Sequence, residues 1–435
     1  MKRPFYMPLE IKNRDFYSRL LISLEICNKN NYDIYFGYRG DVNYFAKNYV
    51  PGVYYGLTTL RNFDKLNKSL KDNGNIIIIS DEEGLVTYSP KYYKKFKVSK
   101  KCLEIADLIF TWGKKNSLLL SKICKNKNKI IITGNPRLDL LKKPISNIYL
   151  SEVQKIKKKY GKFYLIATNF SYTNYFDKKI SYTRLLKKRD FFQSVSDLVE
   201  WKKYLEIKQL IFNEIIKFIK KSKGLNLVIR CHPSENEELY KDLEKKYKNV
   251  HFEKSYSLHP WILASDGVIS HYCTSTFEAL AANKKAYNLK PNYKTLLEDK
   301  SYFKIPIVAK NHQELIDKIN QKNIKNNNTS QLKYYSQNLD NKFYSYKKIA
   351  NEISKISLNG YKHNLPKYFI VKFQLLNILE KLKNIILLRR NNYIEHKIQN
   401  ISKKEILSFI NFFPKFKNQF NIKKLNKNFF LISKK

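Results

Sequence analysis

Short apolar runs closed by Gly, Ser or Asp recur along the chain: "YDIYFGY", "NIIIIS", "LIFTWG" and "KIIITG" in the first third, then "FYLIATNF", "LNLVIRCHP", "VHFEK", "GVISHY" and "KAYNL". Runs of this length, apolar without alternation, are what strands buried on both faces look like. Between them lie segments with helical spacing: "RDFYSRLLISLEICNKN", "SKKCLEIADL", "KKNSLLLSKICK", roughly 196 to 222, "WILASD" and "STFEALAAN". This alternation predicts parallel sheets wound with helices on both faces, with ligands at the carboxyl ends of the strands. The stretch 142–160, with Pro144 and a lysine run, reads as the crossing between two such halves. The expected organisation is a Rossmann-like domain over 1–145, a second over 160–330, and a basic helical region over 331–435. No repeat of fixed period is present.

The strand ends carry the polar chemistry. Asp81, Glu82 and Glu83 follow "IIIIS" and precede Gly84, which allows a tight turn. Two readings stand: a general base or acid set on a rigid strand, with adjacent carboxylates raising one pKa, or a helix cap with acidic first-turn residues. Arg230 and His232 are two apart on an extended strand, so both would face one side, and Pro233 ends it. A guanidinium and an imidazole there suit a phosphate; a histidine capping a carbonyl is the plainer alternative. Ser234 with "ENEEL" behind it reads as the cap of the next helix. Thr274, Ser275 and Thr276 open the helix that contains Glu278, and hydroxyls with unpaired N–H groups at a helix start form an anion site. Asp266 belongs to the turn before "GVISHY", and His271 is core or site. Gly134, Asn135, Pro136 and Arg137 form a turn at another strand end, with Arg137 near ligand.

The 435 residues hold 43% hydrophobic positions, which excludes disorder for most of the chain. Neither a signal peptide nor an apolar run of ~18 residues is found, so a soluble or peripheral cytoplasmic protein is expected. Five scattered cysteines without a C-x-x-C pair argue against a disulfide framework and a zinc site. The formal charge is +46, from 83 Lys and Arg against 37 Asp and Glu. Lys, Asn and Ile are over-used together along the whole chain, as biased codon usage would produce. Residues 361–435, however, contain no Asp and three Glu, with Lys and Arg alternating with Phe, Ile and Leu, a pattern that suits an anionic membrane surface. No nucleic-acid-binding motif accompanies the charge.

Taken in order, Glu82-Glu83-Gly84 (with Asp81 ahead), His232-Pro233 and Ser275-Thr276 resemble the signature of bacterial polysialyltransferases and of transferases using CMP-activated 2-keto sugars such as Kdo. "PLEIKNRDFYSRLL", "SDEEGLVTY" and "TGNPRLDLL" extend a similarity to surface carbohydrate biosynthesis proteins over roughly residues 4–300. The resemblance implies a GT-B fold of two doubly wound domains, a CMP-sugar as donor substrate, no metal and no further cofactor, and a glycan or glycolipid acceptor. It implies that His232 contacts the donor phosphate, that Ser275 and Thr276 hold it, and that Glu82 or Glu83 deprotonates the acceptor. A second His-Pro, His259-Pro260, competes, but it begins a helix rather than ending a strand. Two rivals share the two-domain plan: a CDP-polyol phosphotransferase and a UDP-sugar 2-epimerase. The Asp81–Gly84 stretch fits the nonulosonate pattern better than that of the polyol phosphotransferase.

Overall fold

The computed structural model describes residues 2–176, 194–321, 323–326, 331–340, 342–356, 365–386 and 400–435. In chain order the strands are β1 (Arg3–Leu9), β2 (Tyr32–Tyr38), β3 (Val53–Gly56), β4 (Ile76–Ser80), β5 (Leu108–Thr111), β6 (Ile130–Ile132), β7 (Tyr164–Ala167), β8 (Leu227–Arg230), β9 (Val250–Phe252), β10 (Gly267–Ser270), β11 (Lys285–Leu289), β12 (Ile307–Ala309), β13 (Phe420–Asn426) and β14 (Phe429–Lys434). They form two sheets, and the chain divides into two compact units.

The first unit comprises Met1–Glu82, Val98–Leu140 and Lys342–Lys435. Its sheet has the order β13-β14-β2-β1-β3-β4-β5-β6, parallel from β2 to β6. β1 lies outside the runs read as strands above, and Pro4 and Pro8 are out of place in a central strand. The pairing resolves this. The Arg3 N–H donates to the Asn31 carbonyl on the β2 side, so odd-numbered N–H groups face β2 and even-numbered positions face β3. Pro4 and Pro8 are both even. β1 pairs with β2 along all seven residues but with β3 only at Phe5 and Tyr6, between the prolines. The missing donors thus fall where no ladder bond is made.

The C-terminal region holds the helices Ser345–Ser354, Lys367–Ile386 and Lys403–Phe412 and, beyond what its basic helical pattern suggested, the hairpin β13–β14. β14 pairs antiparallel with β2 and covers an edge that would otherwise expose unpaired backbone. Phe429 and Phe430 are fully buried there, and the Phe429 ring meets Phe45 edge-on at 4.7 Å. Gly37 makes the junction possible: its φ is +147° and an added Cβ would lie 2.0 Å from the Asn428 carbonyl oxygen.

The second unit comprises Glu83–Lys97 and Leu141–Asn341. Its six strands are all parallel, in the order β12-β11-β10-β7-β8-β9. The strands β7 to β9 step outward one way and β10 to β12 the other, so the winding direction reverses between β7 and β10. In sheets of this kind that reversal opens the space where ligands bind. The helix Val195–Lys221 lays Ile207, Ile211, Phe212, Ile215, Phe218 and Ile219 against Ile166, Leu227 and Ile229 of the sheet, which fixes the strand ends from behind.

Gly37→Ala is expected to lower stability by about 1–3 kcal/mol through overpacking at the β2–β14 junction, measured by denaturant unfolding. A change within error would show that the hairpin backbone yields without loss.

Candidate functional site

In the first unit the apolar strand β4 ends in Asp81 and Glu82, both buried. Arg19, on the helix Lys12–Lys29 and fully buried, donates from Nε and Nη2 to Glu82 Oε1 at 3.2 and 2.8 Å. The Asn135 amide donates to Oε2 at 3.0 Å, and Arg137 Nη1 donates to the Glu82 carbonyl at 3.3 Å. The Asn135 side chain also accepts from the Arg137 N–H at 3.0 Å, capping the turn Pro136–Asp139. The Asp81 carbonyl accepts from Trp112 Nε1 at 2.7 Å, and the Arg137 guanidinium lies 5.9 Å from that indole. Glu82 and Arg137 therefore come together, as members of a buried hydrogen-bonded cluster with Arg19 and Asn135. The expectation of three mutually repelling carboxylates is corrected: Arg19 neutralises Glu82, and Lys97 pairs with Glu83, more than half exposed, within the second unit.

In the second unit three loops leave the carboxyl ends of β7, β8 and β10. His232 is exposed in the loop after β8, and its Nδ1 accepts the Ser234 N–H at 3.2 Å and lies 3.1 Å from Ser171 Oγ. A ring nitrogen that accepts a backbone N–H carries no proton, so in neutral His232 the proton sits on Nε2. Pro233 is exposed beside it. Glu235 is buried and knits the β7 and β8 loops: Thr168 Oγ1 donates to it at 2.9 Å, the Phe170 N–H at 2.7 Å and the Tyr240 hydroxyl at 2.6 Å. Burial pushes its carboxyl above the ordinary value, against the pull of these donors.

Arg230 does not converge with His232. It donates from Nη1 to the Ser255 carbonyl and from Nη2 to the Tyr256 carbonyl at 2.9 Å, with its guanidinium 5.5 Å from the Trp261 ring. Burial lowers it to about 10, still charged at neutral pH. Tyr256 has φ +61°, so Arg230 holds a strained turn.

The helix Thr274–Ala281 starts after β10. Thr274 is half-buried at its first turn. Ser275 is 1% exposed and its Oγ has no hydrogen-bond partner, which is unusual for a buried hydroxyl. Thr276 turns inward, bonded to Ser270 Oγ at 3.0 Å, Asn288 Nδ2 at 2.8 Å and the Tyr302 hydroxyl at 2.5 Å. Of the three hydroxyls, Thr276 belongs to the interior. Glu278 is buried 3.6 Å from His259, and His259-Pro260 lies in the helix Leu258–Ala264 with Nδ1 3.1 Å from the Tyr149 hydroxyl. His271 is core: Nδ1 donates to the Leu289 carbonyl at 2.7 Å and Nε2 faces Glu298 at 2.9 Å. Burial pushes Glu298 up, but His271 and the other partners outweigh it and hold the carboxyl at about 2. Asp266 is in the turn before β10, its N–H donating to the Phe163 carbonyl at 2.9 Å. Gly84 is assigned to the second unit, next to Glu83.

Sequence reasoning missed Arg19, Glu235 and Lys208. Lys208 is 1% exposed on the helix Val195–Lys221, with Nζ 3.5 Å from Asn169 Oδ1, and Asn169 Nδ2 donates to the Tyr272 carbonyl at 3.2 Å. Burial lowers the Lys208 ammonium below its ordinary value. A signal was present: Lys208 occupies the inward stripe between Tyr204 and Ile211, where a cation is out of pattern. Among the described residues no group of three or more His, Cys, Asp or Glu is arranged to hold a metal ion.

No family model matches the chain, and no curated protein does. Solved structures do. A Listeria monocytogenes protein assigned as a UDP-N-acetylglucosamine 2-epimerase aligns over 84% of this chain and 100% of its own, at 12% identity and a TM-score of 0.51. The UDP-GlcNAc 2-epimerase of Neisseria meningitidis aligns over 82% and 100%, at 15% identity and 0.48. The wall teichoic acid polymerase TagF aligns over 81% and 88%, at 12% identity and 0.44. The first of these likenesses shows the fold: two Rossmann-like units of the GT-B-like kind.

Arg19→Met, which leaves Glu82 buried without its cation, is expected to lower unfolding stability by about 3–5 kcal/mol. Glu83→Gln, at an exposed pair, should change it by less than about 1 kcal/mol. Equal effects in urea unfolding would refute the assignment of Glu82 as the structural member of the triplet. A second expectation concerns acid. The Glu298 carboxyl is held below its ordinary value of 4.5, so its contribution is complete above that pH and is lost as pH falls toward about 2. Melting profiles between pH 5 and 2.5 should therefore be flatter for Glu298→Gln than for the parent protein.

Proposed function

We propose that the protein is an enzyme of surface-glycan assembly that holds the phosphate of a nucleotide-activated sugar or polyol in its second unit. The reading rests above all on the loops after β7, β8 and β10. They carry His232, with Nε2–H as a donor, and Ser275, a buried hydroxyl without a partner at a helix start, and the winding of the sheet reverses between β7 and β10. Donors of this kind stabilise the negative charge that develops when a nucleotide leaves. Thr274 adds a hydroxyl at the same helix start, while Arg230 and Thr276 act behind the site, one on the 255–256 turn and the other on Asn288 and Tyr302.

The donor we favour is linked through a nucleoside diphosphate, a UDP-sugar or a CDP-polyol. Two observations support it. The structure of the chain is like that of a protein assigned as a UDP-N-acetylglucosamine 2-epimerase. In addition, the feature that set a CMP-linked nonulosonate apart was the acidic triplet, and Glu82 is committed to Arg19 and Asn135. The second reading, transfer of a sialic-acid- or Kdo-like sugar from CMP to a glycan or glycolipid, is carried by the order Glu82-Glu83-Gly84, His232-Pro233, Ser275-Thr276. In that reading Glu83 is the better-placed base, since it is more than half exposed whereas Glu82 is buried.

A thermal-shift panel with CMP, CDP, UDP, GDP and ADP separates them, because a ligand that binds the folded state raises its melting temperature. Selective stabilisation by UDP or CDP, reduced at least about tenfold in apparent affinity by His232→Ala or Ser275→Ala, is the expected outcome. A selective response to CMP would move the assignment to the second reading, and no response to any nucleotide would refute both.

A further inference from the structure

The helix Lys367–Ile386 has one face anchored and the other bare. Phe373 is buried, its ring 4.9 Å from Phe45 and 5.9 Å from Phe429, and Phe369 meets Phe45 at 5.1 Å. Gln374 Nε2 donates to the Leu425 carbonyl at 3.1 Å, which sets the helix beside the β13–β14 hairpin. On the remaining surface Tyr368, Val371, Leu375, Ile378, Leu379 and Leu382 are all exposed, Tyr368 at 73% and Leu379 at 60%. Their spacing of three and four makes one continuous apolar stripe, about 21 Å long at the rise of an α-helix. A stripe of this size on a water-facing helix marks a contact surface.

The charge around it selects the occupant. The helix sequence carries Lys367, Lys372, Lys381 and Lys383 against the single acid Glu380. Lys367 and Lys372 are exposed, as are Lys423, Lys424 and Lys427 on the adjoining hairpin. A second copy of the chain seated on the same stripe would bring like charges together, at a net charge of +46 per chain. An anionic bilayer meets both properties at once, taking the apolar residues into the acyl boundary and the lysines at its headgroups. Among the described residues no helix is long and apolar enough to cross a membrane, so this one would lie along the surface.

We infer that the exposed face of the helix Lys367–Ile386 docks the protein on an anionic lipid surface. The inference deepens the surface-glycan reading by naming where the enzyme works, yet its test uses no nucleotide, so each fails independently. Full-length protein is sedimented with vesicles of phosphatidylcholine alone and of phosphatidylcholine mixed with phosphatidylglycerol. Binding is expected to the mixed vesicles, to weaken as salt is raised, and to fall about tenfold or more in the double variant Leu375→Gln, Leu379→Gln. Melting temperatures equal to the parent's show that the variant keeps its fold, since both leucines are exposed. Undiminished binding by the variant, or equal binding to neutral vesicles, overturns the inference. So does a concentration-dependent dimer that the variant abolishes while vesicles bind neither protein; that result would assign the face to a second copy.

Discussion

The carboxylate of Glu235 accepts from the Thr168 hydroxyl, the Phe170 N–H and the Tyr240 hydroxyl, and by doing so it joins the loops that follow β7 and β8. Much else in the second unit depends on it. The Glu235 N–H donates to the His232 carbonyl at 2.9 Å, the Asn236 N–H to the Asn174 carbonyl at 2.9 Å and the Phe176 N–H to the Ser234 carbonyl at 2.9 Å. His232 is thereby held at both its main chain and its ring, with the tautomer set by the Ser234 N–H. Because burial raises the Glu235 carboxyl, the ionised form is disfavoured relative to water. A group retained under that penalty, with donors supplied from two loops, is one whose positional effect matters more than its own contribution to stability.

Parallel winding explains why such a device is useful. In a parallel sheet every strand ends on the same edge, so loops far apart in sequence meet there, while short strands leave each loop only two neighbours to define it. β7, β8 and β10 are each four residues long. The bonds of Glu235, and the Lys208–Asn169–Tyr272 chain toward the β10 loop, supply order that the ladders are too short to give. The candidate site is braced from behind by buried polar groups, while His232 is exposed and Ser275 Oγ lacks a hydrogen-bond partner.

This division accounts for what was legible in the sequence. The runs "IIIIS", "LVIR" and "GVIS" announced β4, β8 and β10, because strands buried on both faces have no other way to read. β1 was hidden by prolines whose missing donors point at the side where pairing stops. β13 and β14 lay in a stretch whose lysines concealed the apolar alternation of a half-covered hairpin. Of the polar residues, those next to strand ends were found, but their directions were not. Arg230 and His232 share a strand parity and still diverge, because a guanidinium can reach back to the carbonyls at 255 and 256 whereas an imidazole cannot. Glu235 read as part of a helix cap, and Arg19 as an ordinary polar position on an amphipathic helix. Burial, which decides both, comes from contacts distant in sequence. Part of the basic helical region expected over 331–435, including residues 357–364 and 387–399, lies outside the described residues.

The C-terminal region shows how one sequence bias can serve two physical purposes. Four of its phenylalanines face inward: Phe429 and Phe430 complete the first sheet, and Phe369 and Phe373 seat a helix on Phe45. Lys367, Lys372, Lys423, Lys424 and Lys427 are exposed, where they repel other copies of the chain. Had the apolar residues of the helix Lys367–Ile386 numbered only those that face the sheet, biased codon usage would suffice to explain the charge. Among the described residues the second apolar face is not required by packing, and codon bias toward Lys, Asn and Ile does not place leucines at every third and fourth position on the outside of a helix. That spacing is what the inferred lipid contact would require.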